Sequence, residues 1–138
     1  MNSDSSSRLR VATAVIEQQG RVLITQRQAN VALGGLWEFP SVVVRGDETD
    51  EAALRRELRE RLGIDVELGG SKARRTHRFD QRSVDFVLYR GTLPKTESAS
   101  PRQVADVRWV APEDLETYPF PSSGQTAAYL FSRRPEGN

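Results

Sequence analysis

Leu54, Leu58 and Leu62 recur at every fourth position in a stretch otherwise dominated by Asp, Glu and Arg. That spacing puts three leucines in one stripe of an α-helix and turns the charged remainder outward. Thr49 is placed to cap its start, and Asp50 and Glu51 follow in the first turn, where negative charge suits the helix dipole. Gly63 stands where a left-handed C-cap is wanted. Elsewhere the period shortens. Residues 10–16, rich in Val, Ala and Ile, predict a strand. The turn Gln18-Gln19-Gly20 leads to a second strand at 21–27, with Val22, Ile24 and Gln26 opposite Leu23 and Thr25, so the two form a hairpin.

Residues 28–35 are a loop with two glycines, and 36–44 run extended because Pro40 blocks a helix. A short strand at 64–68 is expected to break at Gly69-Gly70, with a further strand at 73–79. Residues 83–90 alternate, with Val84, Phe86 and Leu88 on one face. A polar loop at 94–101, a strand at 107–110, a helical turn from Pro112 to Leu115 and a rigid linker from Pro119 to Pro121 follow. Ser122 or Ser123 caps a last helix with Ala127, Leu130 and Phe131 inward. The pattern predicts an α+β fold without internal repeats. It divides into a disordered polar N-terminus at 1–9, one domain at 10–132 and a loose tail at 133–138.

Composition narrows the chemistry. With 138 residues the chain is long enough for one real core. A net charge of +1 gives no global attraction to nucleic acid or membrane, and no apolar run approaches a spanning length. A cytoplasmic protein is the expectation. There is no cysteine, which excludes disulfides and thiolate chemistry, and the single histidine, His77, excludes a His-rich metal site. What remains is carboxylate chemistry. Glu57 and Glu60 share one face of the predicted helix, and Arg61 joins them. Two carboxylates on a rigid face can hold a hard cation such as Mg²⁺. The same spacing also makes Glu57–Arg61 an ordinary i,i+4 ion pair.

Glu48, Arg56, Glu57, Leu58, Glu60, Gly63 and Ile64 stand in fixed register. In that register the stretch resembles the Nudix box. Around it, Ile24-Thr25-Gln26-Arg27, Trp37-Glu38-Phe39-Pro40, Phe79-Asp80-Gln81-Arg82 and Pro119-Phe120-Pro121 are similar to the MutT-like branch of that superfamily. Thr76-His77 is similar to the C-terminal domain of MutY-type adenine glycosylases. The resemblance implies a mixed β-sheet sandwiched between helices, and a pyrophosphohydrolase of a nucleoside di- or triphosphate that uses Mg²⁺ or Mn²⁺. The other function it implies is a catalytically silent domain that binds a nucleotide or damaged base. A third is an interaction module with no small ligand.

Carried over by register, the resemblance implies that Glu57, Glu60 and the Ser41 carbonyl hold the metal, with Glu57 and Glu60 catalytic. It implies that Arg27 contacts the nucleotide, Phe39 lines the base pocket and Arg82 contacts the nucleotide from the next strand pair. Glu48 and Arg56 are expected to pair and tie the loop to the helix. Each of these side chains also has an ordinary structural role, as a strand-end cation, a core aromatic or a surface charge. Together with the box, the pocket role is favoured for Arg27 and Phe39. Several positions depart from the family. Val42 replaces the first glycine of the box, and Arg61 replaces its last glutamate. The segment 102–104 carries no glutamate, and Gly124 stands where the MutT branch has a purine-reading asparagine. Arg61 either repels the metal and competes for Glu57, or grips a substrate phosphate bidentately.

Overall fold

The leucine stripe becomes helix α1, Asp50–Leu62, in a computed structural model that describes residues 8–132. The Thr49 hydroxyl accepts from the Ala52 amide at 3.1 Å. Gly63 takes φ 68° and donates its amide to Arg59 O, while Ile64 N donates to Leu58 O. The Gly63–Arg59 bond is the αL closure that a residue in the left-handed region permits, and the Ile64 amide takes up a further carbonyl of the helix end. Leu54, Leu58 and Leu62 are buried, as is Ala53. Asp50 does more than suit the dipole. It is buried, and its carboxylate accepts from Arg10 at 2.8 and 2.6 Å and from the Tyr89 hydroxyl at 2.5 Å. Helix start, first strand and sixth strand are thereby bolted together by charge-assisted bonds.

Seven strands form one mixed sheet: β1 (Arg8–Gln18), β2 (Arg21–Gln26), β3 (Trp37–Glu38), β4 (Ser41–Val43), β5 (Glu67–Phe79), β6 (Arg82–Thr92) and β7 (Asp106–Val110). β1 begins at Arg8, two residues ahead of the expected start, because Arg8 and Leu9 pair with Ser83 and Val84. The rest of the expected disordered N-terminus and the 133–138 tail lie outside the described residues. Gln19 and Gly20, at φ 52° and 78°, form the tight turn that matches strand twist in a two-residue hairpin. β1 runs parallel to β6 and antiparallel to β2 and β4.

The two strands expected at 64–68 and 73–79 are one strand. β5 crosses Gly69-Gly70 through register shifts at Leu68/Ser71 and Ser71/Ala73, and Ile64 and Val66 pack into the core ahead of it. β5 ends the strand order next to β6, and bulges are tolerated at such sheet edges. A 3₁₀ turn (Pro112–Thr117) and helix α2 (Ser123–Ser132) complete the chain. The Ser122 hydroxyl accepts from Gln125 N at 3.0 Å, so Ser122 supplies the cap.

The sheet is covered on both faces. α1 packs with Ala14, Leu23, Val87 and Tyr89. Ala127, Leu130 and Phe131 of α2 pack against Val11 and Val84 on the opposite face. A third cluster joins Ile24, Trp37 and Val110 to Phe39, Tyr118 and Phe120. β2 is therefore buried on both sides, from Val22 through Thr25.

Candidate active site

β1 and β2 pair only beside their turn, through Glu17↔Val22 and Gln18↔Arg21. Beyond that they diverge, and the segment 37–43 fills the opening, with β3 on β2 and β4 on β1. The split leaves a cavity of about 830 Å³. The sheet lines it with Glu38 and Ser41, α1 with Glu57, Glu60 and Arg61, and α2 with Tyr129. In charge, five carboxylates face four guanidinium groups across its lining.

Along β4, Ala14 N donates to Pro40 O and Val44 N to Arg10 O, with Ala12 opposite Val42 between them. An antiparallel ladder alternates, so the main-chain groups of Ser41 point away from β1. The Ser41 carbonyl is thus left over from the sheet on a strand that lines the cavity. Val42 keeps an extended backbone with no positive φ and packs against the α1 core, so replacing glycine there costs no strain. Glu48 pairs with Arg56 and accepts from the Arg45 amide at 3.2 Å, which ties the preceding loop to α1 as expected.

Glu57 is mostly buried, and its Oε2 lies 2.6 Å from Arg61 Nε. Burial pushes its carboxyl above the usual range, Arg61 opposes that, and neighbouring Glu60 adds to it. Glu60 is exposed at the cavity mouth. Arg61 reaches on to the Gln103 carbonyl at 3.3 Å, and its charge is felt by Glu38 as well as Glu57. The loop without a glutamate thus offers a carbonyl to Arg61. Among the described residues, no three acidic or imidazole side chains converge on one point. Of the oxygens on the lining, the Glu57 and Glu60 carboxylates on α1 and the Ser41 carbonyl on β4 are the ones that could hold a cation. That suits Mg²⁺, which is commonly held by one or two carboxylates, its own waters and substrate phosphates.

Arg27 sits at the end of β2, but its head is not exposed as a strand-end cation would be. The side chain is 18% accessible. Its Nε donates to Ala32 O at 2.8 Å, Nη1 meets Glu38 Oε2 at 3.4 Å, and the guanidinium lies 5.2 Å from the Tyr129 ring centroid. Glu38 is pushed up by burial and drawn back down by Arg27. Phe39 and Arg82 are not brought to this cavity. Phe39 packs 5.5 Å from the Phe120 ring in the third cluster, and Arg82 lies over the Phe131 ring at 5.2 Å. Glu38 and Tyr129 are cavity residues that the sequence left without a role. For Glu38 the signal was a carboxylate between Trp37 and Phe39 in a segment expected to be extended. For Tyr129 there was none, since its helix lies about a hundred residues from Arg27.

The NUDIX domain family model matches residues 11–136. The chain belongs to the NUDIX family. It is 34% identical over 117 residues to the CTP pyrophosphohydrolase of Escherichia coli K12, covering 81% of this chain and 82% of that protein. It is 36% identical over 91 residues to the 8-oxo-dGTP diphosphatase of Proteus vulgaris, covering 65% and 81%. Among solved structures, the E. coli ORF135 protein superposes with a TM-score of 0.71 at 28% identity, over 93% of each chain. These similarities put this NUDIX protein in the MutT-like branch, and the mixed sheet between two helices is the NUDIX fold.

Proposed function

We propose that this NUDIX protein is a pyrophosphohydrolase of a nucleoside di- or triphosphate, with Mg²⁺ or Mn²⁺ held by Glu57, Glu60 and the Ser41 carbonyl. The observation that carries the assignment is the joining of these donors with Arg27 and Arg61 in one cavity between the helices. Its lining is nearly neutral, so a polyphosphate brings in charge that only an added cation can balance. The metal supplies phosphate screening and a more acidic water. The protein supplies position. α1 holds Glu57 and Glu60 at fixed spacing on its capped backbone. Glu38 and the Ala32 carbonyl hold the Arg27 guanidinium, which contacts the phosphates. Water enters at phosphorus as the bridging P–O bond breaks, and the released phosphate carries the charge that Arg27 and Arg61 face.

The test is a panel that includes CTP and 8-oxo-dGTP, assayed for phosphate and pyrophosphate release with Mg²⁺, with Mn²⁺ and with chelator. Metal-dependent release is expected, with Glu57→Gln lowering the rate on the order of 10²–10³-fold. Glu48→Gln should have a far smaller effect, because Glu48 acts through Arg56 and the loop. Equal rates for Glu57→Gln and wild type would overturn the metal assignment. The Glu57–Arg61 ion pair favours one competing reading, a silent nucleotide-binding domain. Thermal stabilisation by nucleotide with no turnover across the panel would select it.

A further inference from the structure

Arg61 has two partners of unequal strength. Its Nε is 2.6 Å from Glu57, while Nη1 reaches the Gln103 carbonyl at only 3.3 Å. The loop beneath does not need that side chain. Arg102 N donates to Arg61 O at 2.9 Å and Ser100 N to Leu62 O at 3.0 Å, so main-chain bonds already staple the loop to the end of α1. The side chain is 44% exposed and lies on the cavity lining, with guanidinium donors beyond the two in use. It is also close enough to Glu38 to stabilise that carboxylate's charge from the far wall.

From this geometry we infer that Arg61 is an exchangeable internal cation that couples metal binding to phosphate binding. The inference rests on the metal and phosphate sites proposed above. Without ligand, Arg61 neutralises Glu57. A metal arriving alone meets an engaged carboxylate, a fixed positive charge a few ångströms away and an incomplete set of donors. A metal arriving with a pyrophosphate group brings its own oxygen ligands and offers the displaced guanidinium a new anion. A partly exposed ion pair is weak enough to exchange in this way, and guanidinium binds phosphate oxygens bidentately. Metal and pyrophosphate each then tighten the other by the same factor, because coupling is reciprocal.

The experiment uses the whole chain and two probes: Mn²⁺ alone, and Mn²⁺ with methylenediphosphonate, an uncleavable pyrophosphate mimic without a base. Binding is read by calorimetry and by the free-Mn²⁺ spin-resonance signal. Wild type should bind Mn²⁺ weakly alone and at least about 10-fold more tightly with the mimic, within the usual range of coupling. Arg61→Gln should bind Mn²⁺ alone several-fold more tightly and lose most of the enhancement. Arg61→Glu should bind Mn²⁺ more tightly again and the mimic less tightly. Arg61→Lys, which keeps the charge without the fork, should retain part of the coupling. Wild-type Mn²⁺ affinity and full enhancement in Arg61→Gln would overturn the inference. If coupling is absent while nucleotide hydrolysis persists, only the role of Arg61 fails. If coupling is present while no nucleotide is hydrolysed, only the hydrolase reading fails.

Discussion

Arg27 shows how one side chain changes its meaning between sequence and structure. As an exposed strand-end cation it would be removable at no structural cost. In the fold it is largely covered, and it is the cation that faces Glu38 at hydrogen-bonding distance. Arg27→Ala should therefore do two things. It should weaken nucleotide binding by roughly the 1.5–3 kcal/mol of a charged hydrogen bond, and it should cost about 1 kcal/mol of stability, because the Glu38 side chain is 32% accessible and the pair it loses is partly solvated. Calorimetric titration beside denaturant unfolding measures both. An unchanged midpoint would mean that Glu38 finds water or Arg61 in its place. The double variant Arg27→Ala/Glu38→Gln should recover part of the stability but not the affinity.

At the level of elements, α1 does most of the positioning, and its two ends are set differently. The start is held by Thr49 and by the buried Asp50 network with Arg10 and Tyr89. The end depends on Gly63 at φ 68°. A Cβ there would strain the left-handed backbone and sit 2.6 Å from Arg102 Nη2, a flexible side chain that can move away. The backbone term then dominates. Gly63→Ala should cost about 1–2 kcal/mol in denaturant unfolding. The same change disturbs the turn that carries Arg61 and the 100–103 loop, so Mn²⁺ binding should change with it. A Gly63→Ala protein as stable as wild type would show that the left-handed closure at Gly63 is not what ends the helix.

For the molecule as a whole, three carboxyls pull pH dependence in opposite directions. Glu38 and Glu57 are pushed above their ordinary values by burial, while the Arg10 guanidinium holds Asp50 below its own. As pH falls toward the ordinary glutamate range, the folded protein takes up protons at Glu38 and Glu57 before the unfolded chain does, and stability rises. Below roughly pH 4, the unfolded chain protonates Asp50's carboxyl first, and the stability from the Arg10 pair is lost as pH drops through its folded value. Thermal melts should show maximum stability on the mildly acidic side. Glu57→Gln should flatten the rise between neutral pH and that maximum, whereas a pH profile unchanged by Glu57→Gln would contradict the burial argument. Among the described residues no helix is long and apolar enough to cross a membrane.

The sequence by itself determined α1, its caps and its leucine stripe, because helix period, capping side chains and a left-handed glycine are local properties. It also determined the α+β order and placed Glu57, Glu60 and Arg61 on one helix face. It did not determine that residues 67–79 are a single bulged strand, since Gly69-Gly70 breaks a strand by local propensity and only the long β6 partner overrides it. Nor did it determine which side chains share a cavity. Glu38, Arg27 and Tyr129 meet there, while Phe39 and Arg82 turn to aromatic neighbours elsewhere. Those meetings follow from where β1 and β2 part and which segment fills the gap. That is a matter of long-range packing, and no local period in the chain encodes it.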